Sequence, residues 1–455
     1  MSRRVFRALL IALCLTPRFA AAQTAYRLID LGQVDGVGSS AVAINDAGQV
    51  AGWIITQTHD SRAVRSVDGQ PFAYVVPLQS LSITVNGMNQ YGDLTGNVVV
   101  SPFPTFAYHA FRYSDQGGLV DLGTLGGQSS TGIGINSSGQ VAGWSYNGSG
   151  IPRAFRGTAG QLLQELPTFI GGTSQSFGGG INDSGQVAGY AEKAGVFRAF
   201  RFTDGQPLLD LGTLGGAFGS RAYQINASGQ VVGEASTLSS GTHAFRYTDG
   251  IGMLDLDPLH ARNSVAMNIN DGGDVVGYFD AGGPSHAFRY TANDGMVDLN
   301  SFVDQNAGWT LNAAYGINAQ GQIVGVGTFN GQATPRAFLL TPLPPDVTPP
   351  VISSVQANPD AIWPANHKMV PIAVTVDVTD DLDPAPTCRI TGITSDDQGS
   401  AADFAIVGDL SATVRAESLG PTGRTYSIAL ACSDSSSNSS TAVALVRVPH
   451  DQSRK

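Results

Sequence analysis

The pattern N-x-x-G-[QD]-[VIL]-x-G recurs seven times, with its asparagine at Asn45, Asn89, Asn136, Asn182, Asn226, Asn270 and Asn318. Successive copies are spaced 44, 47, 46, 44, 44 and 48 residues apart, and both glycines stay in all seven. A chain with this self-similarity must assemble from repeated units, each too small to bury a core alone.

Two further arms accompany each copy. The first reads HAFRY at His109–Tyr113, RAFRF at Arg198–Phe202, and HAFRY again from His243 and from His286. It degenerates at Arg153-Ala154-Phe155, at Arg336-Ala337-Phe338 and, on this reading, at Phe72-Ala73-Tyr74. The second reads VDLGTLGG at Val120–Gly127 and LDLGTLGG at Leu209–Gly216, and the chain opens with LIDLG at Leu28. With the small-residue arm that ends in Ile-Asn and the Gln-Val-Ala-Gly arm, each unit holds four short strand-like segments. Four segments of four to six residues separated by Gly/Asn/Asp turns predict repeating antiparallel sheets, and no helical periodicity competes.

Within Ile181–Tyr190 (INDSGQVAGY), the asparagine side chain is expected to open a turn by bonding the backbone. Gly185 would supply the positive φ that closes the hairpin. Gly189 would permit close approach between neighbouring sheets. A calcium reading needs more carboxylates than the copies provide.

About 45 residues and four strands per unit match a propeller blade. The array begins with an Asp-Leu arm and ends with an Ala-Phe arm, so joining the two would complete one blade and leave no free sheet edge. After Thr341–Pro350, rich in proline, residues 351–450 alternate in short strand patterns and hold one pair of cysteines, as in an Ig-like sandwich. The expected fold is all-β: a seven-bladed β-propeller (23–342), a Pro-rich linker (343–350), an Ig-like β-sandwich (351–450) and a short tail (451–455).

Residues 1–22 read as an export signal: Arg3, Arg4 and Arg7, then the apolar Ala8–Thr16, then Ala20-Ala21-Ala22 for cleavage before Gln23. Without them, 21 basic side chains face 36 acidic ones, a net charge of −15. Such a surface argues against nucleic acid and anionic membranes as partners. The remaining cysteines, Cys388 and Cys432, are expected to form one disulfide in an oxidising compartment. Nothing in their surroundings has zinc-site spacing, and no cofactor motif is present. The acidic turn Asp377, Asp380, Asp381 and Asp383 reads as a solvated loop, with Ca²⁺ as the alternative.

The seven copies of the unit, with HAF at His109, His243 and His286, resemble the HAF family of extracellular repeats, over roughly residues 26–342. The resemblance implies a bacterial protein in a secreted or surface setting, and it brings no catalytic residues to carry over. AIWPANHKMVPIAV and VRVPHDQ similarly resemble an Ig-like domain at the C-termini of exported bacterial proteins.

Candidate binding residues come from two places. The position after the Gln-Val-Ala-Gly arm is aromatic at Trp53, Trp144, Tyr190 and Tyr278, and such rings can stack on sugars or simply pack between blades. The loop after Gly52, counted at 20 residues up to Ala73, gathers His59, Asp60 and Arg62. His109, His243 and His286 share one slot in different units and read as scaffold. The expectation is an exported, monomeric, non-catalytic binding or adhesion-type scaffold, extracellular or periplasmic, with a glycan or a surface protein as its partner. The alternatives are a purely structural surface protein and a carbohydrate-active enzyme with a site in the channel mouth. Aromatics clustered on an open face would favour sugar binding, and two facing carboxylates would favour chemistry.

Overall fold

A computed structural model describes residues 26–450 except 35, 76–81, 102–106, 170–174, 240, 258–262, 281, 345, 398–399 and 419–421. The export signal expected at 1–22 and the tail at 451–455 lie outside the described residues. Ala25–Leu343 is one compact unit, and the chain from Pro344 is part of another.

Seven four-stranded antiparallel sheets make up the first unit. Six follow chain order: in the fourth, for example, Ser176–Ile181, Val187–Lys193, Val196–Phe202 and Leu209–Asp210 lie side by side. The seventh combines Trp309–Ile317, Ile323–Phe329 and Arg336–Pro342 with Tyr26–Asp30 from the opposite end of the unit, paired from Tyr26↔Pro342 to Asp30↔Phe338. Each first strand touches the first strand of the next sheet, and the last touches the first. The sheets therefore close a cycle, a β-propeller whose innermost strands are the small-residue arms.

The repeated asparagine does more than open a turn. Asn182 Oδ1 accepts the Gln186 amide at 3.0 Å, and Gly185, at φ +75°, closes the turn by donating to the Asn182 carbonyl at 2.9 Å. Asn182 Nδ2 meanwhile donates to the carbonyl of Asn226 in the next sheet at 3.1 Å. The same link, at 3.0–3.4 Å, joins every consecutive pair of these asparagines, and Asn318 returns to Asn45.

The role expected for Gly189 needs correction. A Cβ there would collide with the carbonyl oxygen of Phe177 on the adjacent strand of the same sheet. A β-bulge between Gly178 and Ile181 displaces the inner strand at this level, and a bulge recurs in every first-to-second strand pair. The close approach is thus within a sheet. Opposite this glycine stands the phenylalanine of the Ala-Phe arm: Gly189 faces Phe200 and Gly96 faces Phe111, and both rings are fully buried.

The first sheet overturns a second expectation. Its third strand is Ser61–Ser66, pairing Gly52 with Val64, while Ala73–Tyr74 is the fourth. The degenerate Ala-Phe arm is therefore Arg62-Ala63-Val64-Arg65, and 10 residues rather than 20 separate Gly52 from Ala63. Phe72, from the fourth-strand side, reaches across so that its ring tip faces Gly52, filling the space that Val64 leaves short.

In the second unit, Val351–Asn358, Met369–Thr379, Ser411–Arg415 and Phe404–Gly408 form one sheet. Thr387–Ser395, Arg424–Ser433 and Ser439–Val448 form another. Residues of both sheets, among them Ile372, Val414, Ile428 and Val446, share one apolar core. Cys388 and Cys432 are bonded as directly opposed residues of neighbouring strands. Arg424, fully buried, is held by Asp397, Asp403 and the Tyr426 hydroxyl at 2.6, 3.1 and 2.8 Å.

Candidate functional site

The closed cycle of inner strands surrounds a channel. At the end away from the asparagine turns it widens into a cavity of about 370 Å³. The residue three positions before each repeated asparagine lines it: Val42, Asn86, Ile133, Gly179, Tyr223, Met267 and Tyr315. Six of the seven sheets thus offer one side chain of free choice from an otherwise repetitive frame, and the fourth offers the bare Gly179. Trp53, Trp144 and Tyr190 join the lining from the second strands, where they stand opposite Ser40, Thr131 and Phe177.

Aromatic rings concentrate on the third to fifth sheets. Trp144 meets Phe177 edge-on at 5.7 Å, and Phe177 stacks on Tyr190 at 4.9 Å. Arg221 lies over Tyr190 at 5.8 Å and over Phe197 at 5.7 Å. Glu234 fixes the end of this row, accepting from Arg221 Nη1 and from the Tyr223 hydroxyl, each at 2.8 Å. Burial, then the Glu234 charge, pushes the Tyr223 phenol far above its ordinary value, so it is a protonated donor at neutral pH.

The waist below is polar and neutral. Asn86, Gln224 and Asn268 line both the cavity and a narrower space of about 200 Å³ that leads to the asparagine turns. At that far mouth the sheets are tied once more. Ala319, Ser137 and Ala227 donate their amides to Asp46, Asp183 and Asp271 of the next sheet. Small and acidic residues alternate around the mouth, and the odd seventh place is met by Gln90, whose Oε1 accepts from the Asp46 amide at 3.0 Å.

Of the residues singled out from the sequence, Trp53, Trp144 and Tyr190 come together around the cavity. Tyr278 sits outside its lining, with its phenol raised by burial and then by Glu234. His59, Asp60 and Arg62 line neither space. They belong to a short hairpin in which Arg62 Nη2 and the Thr58 hydroxyl bond Asp60 at 3.3 and 3.0 Å. The expectation that drew them in rested on a long loop that the true strand register removes. His109, His243 and His286 pair with Asp121, Asp255 and Asp298 of the outermost strands at 2.9, 2.9 and 2.7 Å. In the acidic turn, Asp383 takes the Ser435 amide, and Asp380 and Asp381 gather with Asp346. Phe177, Tyr223 and Tyr315 escaped the sequence reading. The signal for Tyr223 and Tyr315 was the position three before the asparagine, the variable place beside an invariant one, while Phe177 stands five before Asn182, opposite Tyr190.

No family model matches the chain, and no curated protein does. Solved structures similar to it include TolB from Acinetobacter baumannii, at 11% identity over 65% of this chain and 80% of that one, with a TM-score of 0.37. A gluconolactonase from Xanthomonas campestris matches at 12% identity over 70% and 90%, with a TM-score of 0.33. The six-bladed lectin of Aleuria aurantia matches at 9% identity over 60% and 94%, with a TM-score of 0.28. The propeller architecture stands on the strand pairing rather than on these similarities.

Proposed function

We propose that this is an exported, non-catalytic binding scaffold: a seven-bladed HAF-repeat propeller that holds a small ligand in the aromatic end of its channel, followed by an Ig-like sandwich. It acts as a monomer outside the cytoplasm after cleavage near Ala22. One observation carries the reading. Trp53, Trp144 and Tyr190 come from three different sheets, and all three remain partly exposed around a single cavity. Its volume falls in the range of ligand pockets, roughly 300–1,000 Å³. Binding rather than turnover fits the state of Glu234, whose Oε1 is already engaged by Tyr223 and Arg221.

The test is a chemically mixed fragment library screened by ligand-observed NMR against residues 23–455 and against W53A/W144A. Fragments that bind the parent chain, lose binding in the double variant and emerge chemically unchanged are the expected result. Equal hits on both proteins, or conversion of a fragment, would overturn the reading.

A further inference from the structure

The cavity has two chemically different parts, and the difference selects a ligand class. One is the aromatic wall of Trp53, Trp144 and Tyr190. The other is the waist below it, where three side-chain amides line both spaces. Asn86 Nδ2 is committed to the Gly132 carbonyl at 2.9 Å, Asn268 Nδ2 to the Tyr315 carbonyl at 3.2 Å, and Gln224 Oε1 to the Ile225 amide at 3.1 Å. Those bonds orient the groups and leave Asn86 Oδ1, Asn268 Oδ1 and Gln224 Nε2 without a protein partner among the described residues. Two acceptors and one double donor thus line the waist below an apolar wall.

Charge is missing from that set. Among the described residues no Asp, Glu, Lys, Arg or His lines the cavity, and Glu234, bonded to the lining Tyr223, is paired with Arg221 at 2.8 Å. A charged ligand would surrender hydration with no counter-charge to receive it. A purely aromatic ligand would suit the wall but would cut the three amide groups off from water without replacing their hydrogen bonds. A ligand with one apolar face and a rim of hydroxyls, which both donate and accept, satisfies both parts.

We propose that the cavity binds a neutral saccharide ring, its apolar face on Trp144 and its hydroxyls on Asn86, Gln224 and Asn268. The proposal rests on the binding reading above and adds the ligand class and its orientation. Gly180 leaves the room that Gln224 uses, since a Cβ on Gly180 would occupy the place of the Gln224 side-chain oxygen.

The experiment titrates residues 23–455 with the methyl glycosides of glucose, galactose, mannose and fucose, with glucuronate, and with indole, read by tryptophan fluorescence and saturation-transfer NMR. Saturable binding of at least one neutral glycoside is expected, weakened about tenfold or more by W144A and by Q224A/N268A. Glucuronate should bind at least about tenfold more weakly than the best neutral glycoside. The paired variants guard against misfolding, because Q224A/N268A leaves the aromatic wall intact and W144A leaves the amides. Glycoside binding indifferent to both would place the sugar elsewhere and overturn the proposal. Binding of indole alone would overturn the ligand class while the fragment screen still upheld a binding cavity. No binding by any probe to folded protein would overturn the proposal as well, and the fragment screen would then decide separately whether the cavity binds at all.

Discussion

Asn318 donates its side-chain amide to the backbone carbonyl of Asn45, 273 residues earlier in the chain, at 3.0 Å. The propeller is therefore closed twice, at its axis by this bond and at its rim by the pairing of Tyr26–Asp30 with Phe338–Pro342. The outer closure follows from where the arms begin and end. The inner one follows from a geometry in which the turn uses Oδ1 and leaves Nδ2 to reach the next sheet.

Replacing Asn182 by Ala removes a buried acceptor from Gln186 N and a donor to Asn226 O together. The expected loss is about 1–3 kcal/mol, measured by urea denaturation. Asn318→Ala should cost a similar amount, because it is an equivalent member of a closed ring. A much smaller loss at Asn318 would mean that the ring does not close energetically where the chain ends meet.

The first sheet carries a compensated pair. Phe72→Ala should destabilise by about 3–5 kcal/mol, as for any large buried aromatic truncated in a core. Val64→Phe alone overpacks, because the Phe72 ring already fills the space before Gly52. The double variant restores the pattern of the other six sheets, and denaturation midpoints should show it more stable than Phe72→Ala alone.

Repeat number, turn chemistry and the rim closure were legible because each depends on local pattern. The register of the first sheet was not. Phe72-Ala73-Tyr74 resembles the Ala-Phe arm more than Arg62-Ala63-Val64-Arg65 does, and only pairing with Gly52 decides between them. That single slip created the long loop and with it the site expected at His59, Asp60 and Arg62. Trp53, Trp144 and Tyr190 were visible as a recurring aromatic position, whereas Tyr223 and Tyr315 were hidden in a position that varies from sheet to sheet. Gly189 shows the same limit: its need for a bare Cα was legible, but not that a carbonyl of its own sheet, that of Phe177, causes it.

The second unit depends on a buried cation. Arg424 has no exposed side-chain surface and bonds Asp397 and Asp403, so Arg424→Met should cost about 3–5 kcal/mol by stranding their charges. Burial pulls the Asp403 carboxyl upward, yet the Arg415 hydrogen bond and the Arg424 charge outweigh it and hold it below the ordinary carboxylate range. A depressed folded pKa contributes stability above the unfolded value of about 3.9, and that contribution is lost as pH falls through the folded value. The protection factor of the Tyr426 amide, exchange relative to its intrinsic rate at each pH, should therefore fall in acid, and Asp403→Asn should flatten that acid limb while weakening protection at neutral pH.

Glu234 offers a test of the electrostatics beside the cavity. It raises the phenols of Tyr223 and Tyr278, in each case second to burial. Glu234→Gln keeps an oxygen that accepts from Tyr223 and removes only the charge. Tyrosine ionisation followed by alkaline difference absorbance should then begin at lower pH, because the phenolates no longer form beside an anion. Tyr223 should still titrate above the free phenol, since its burial is unchanged. The variant also frees Arg221 from its charged partner, so the cation's hold over Tyr190 and Phe197 should loosen and the aromatic resonances of both should shift. An alkaline titration identical to that of the parent would mean that the Glu234 carboxylate does not face these phenols in solution.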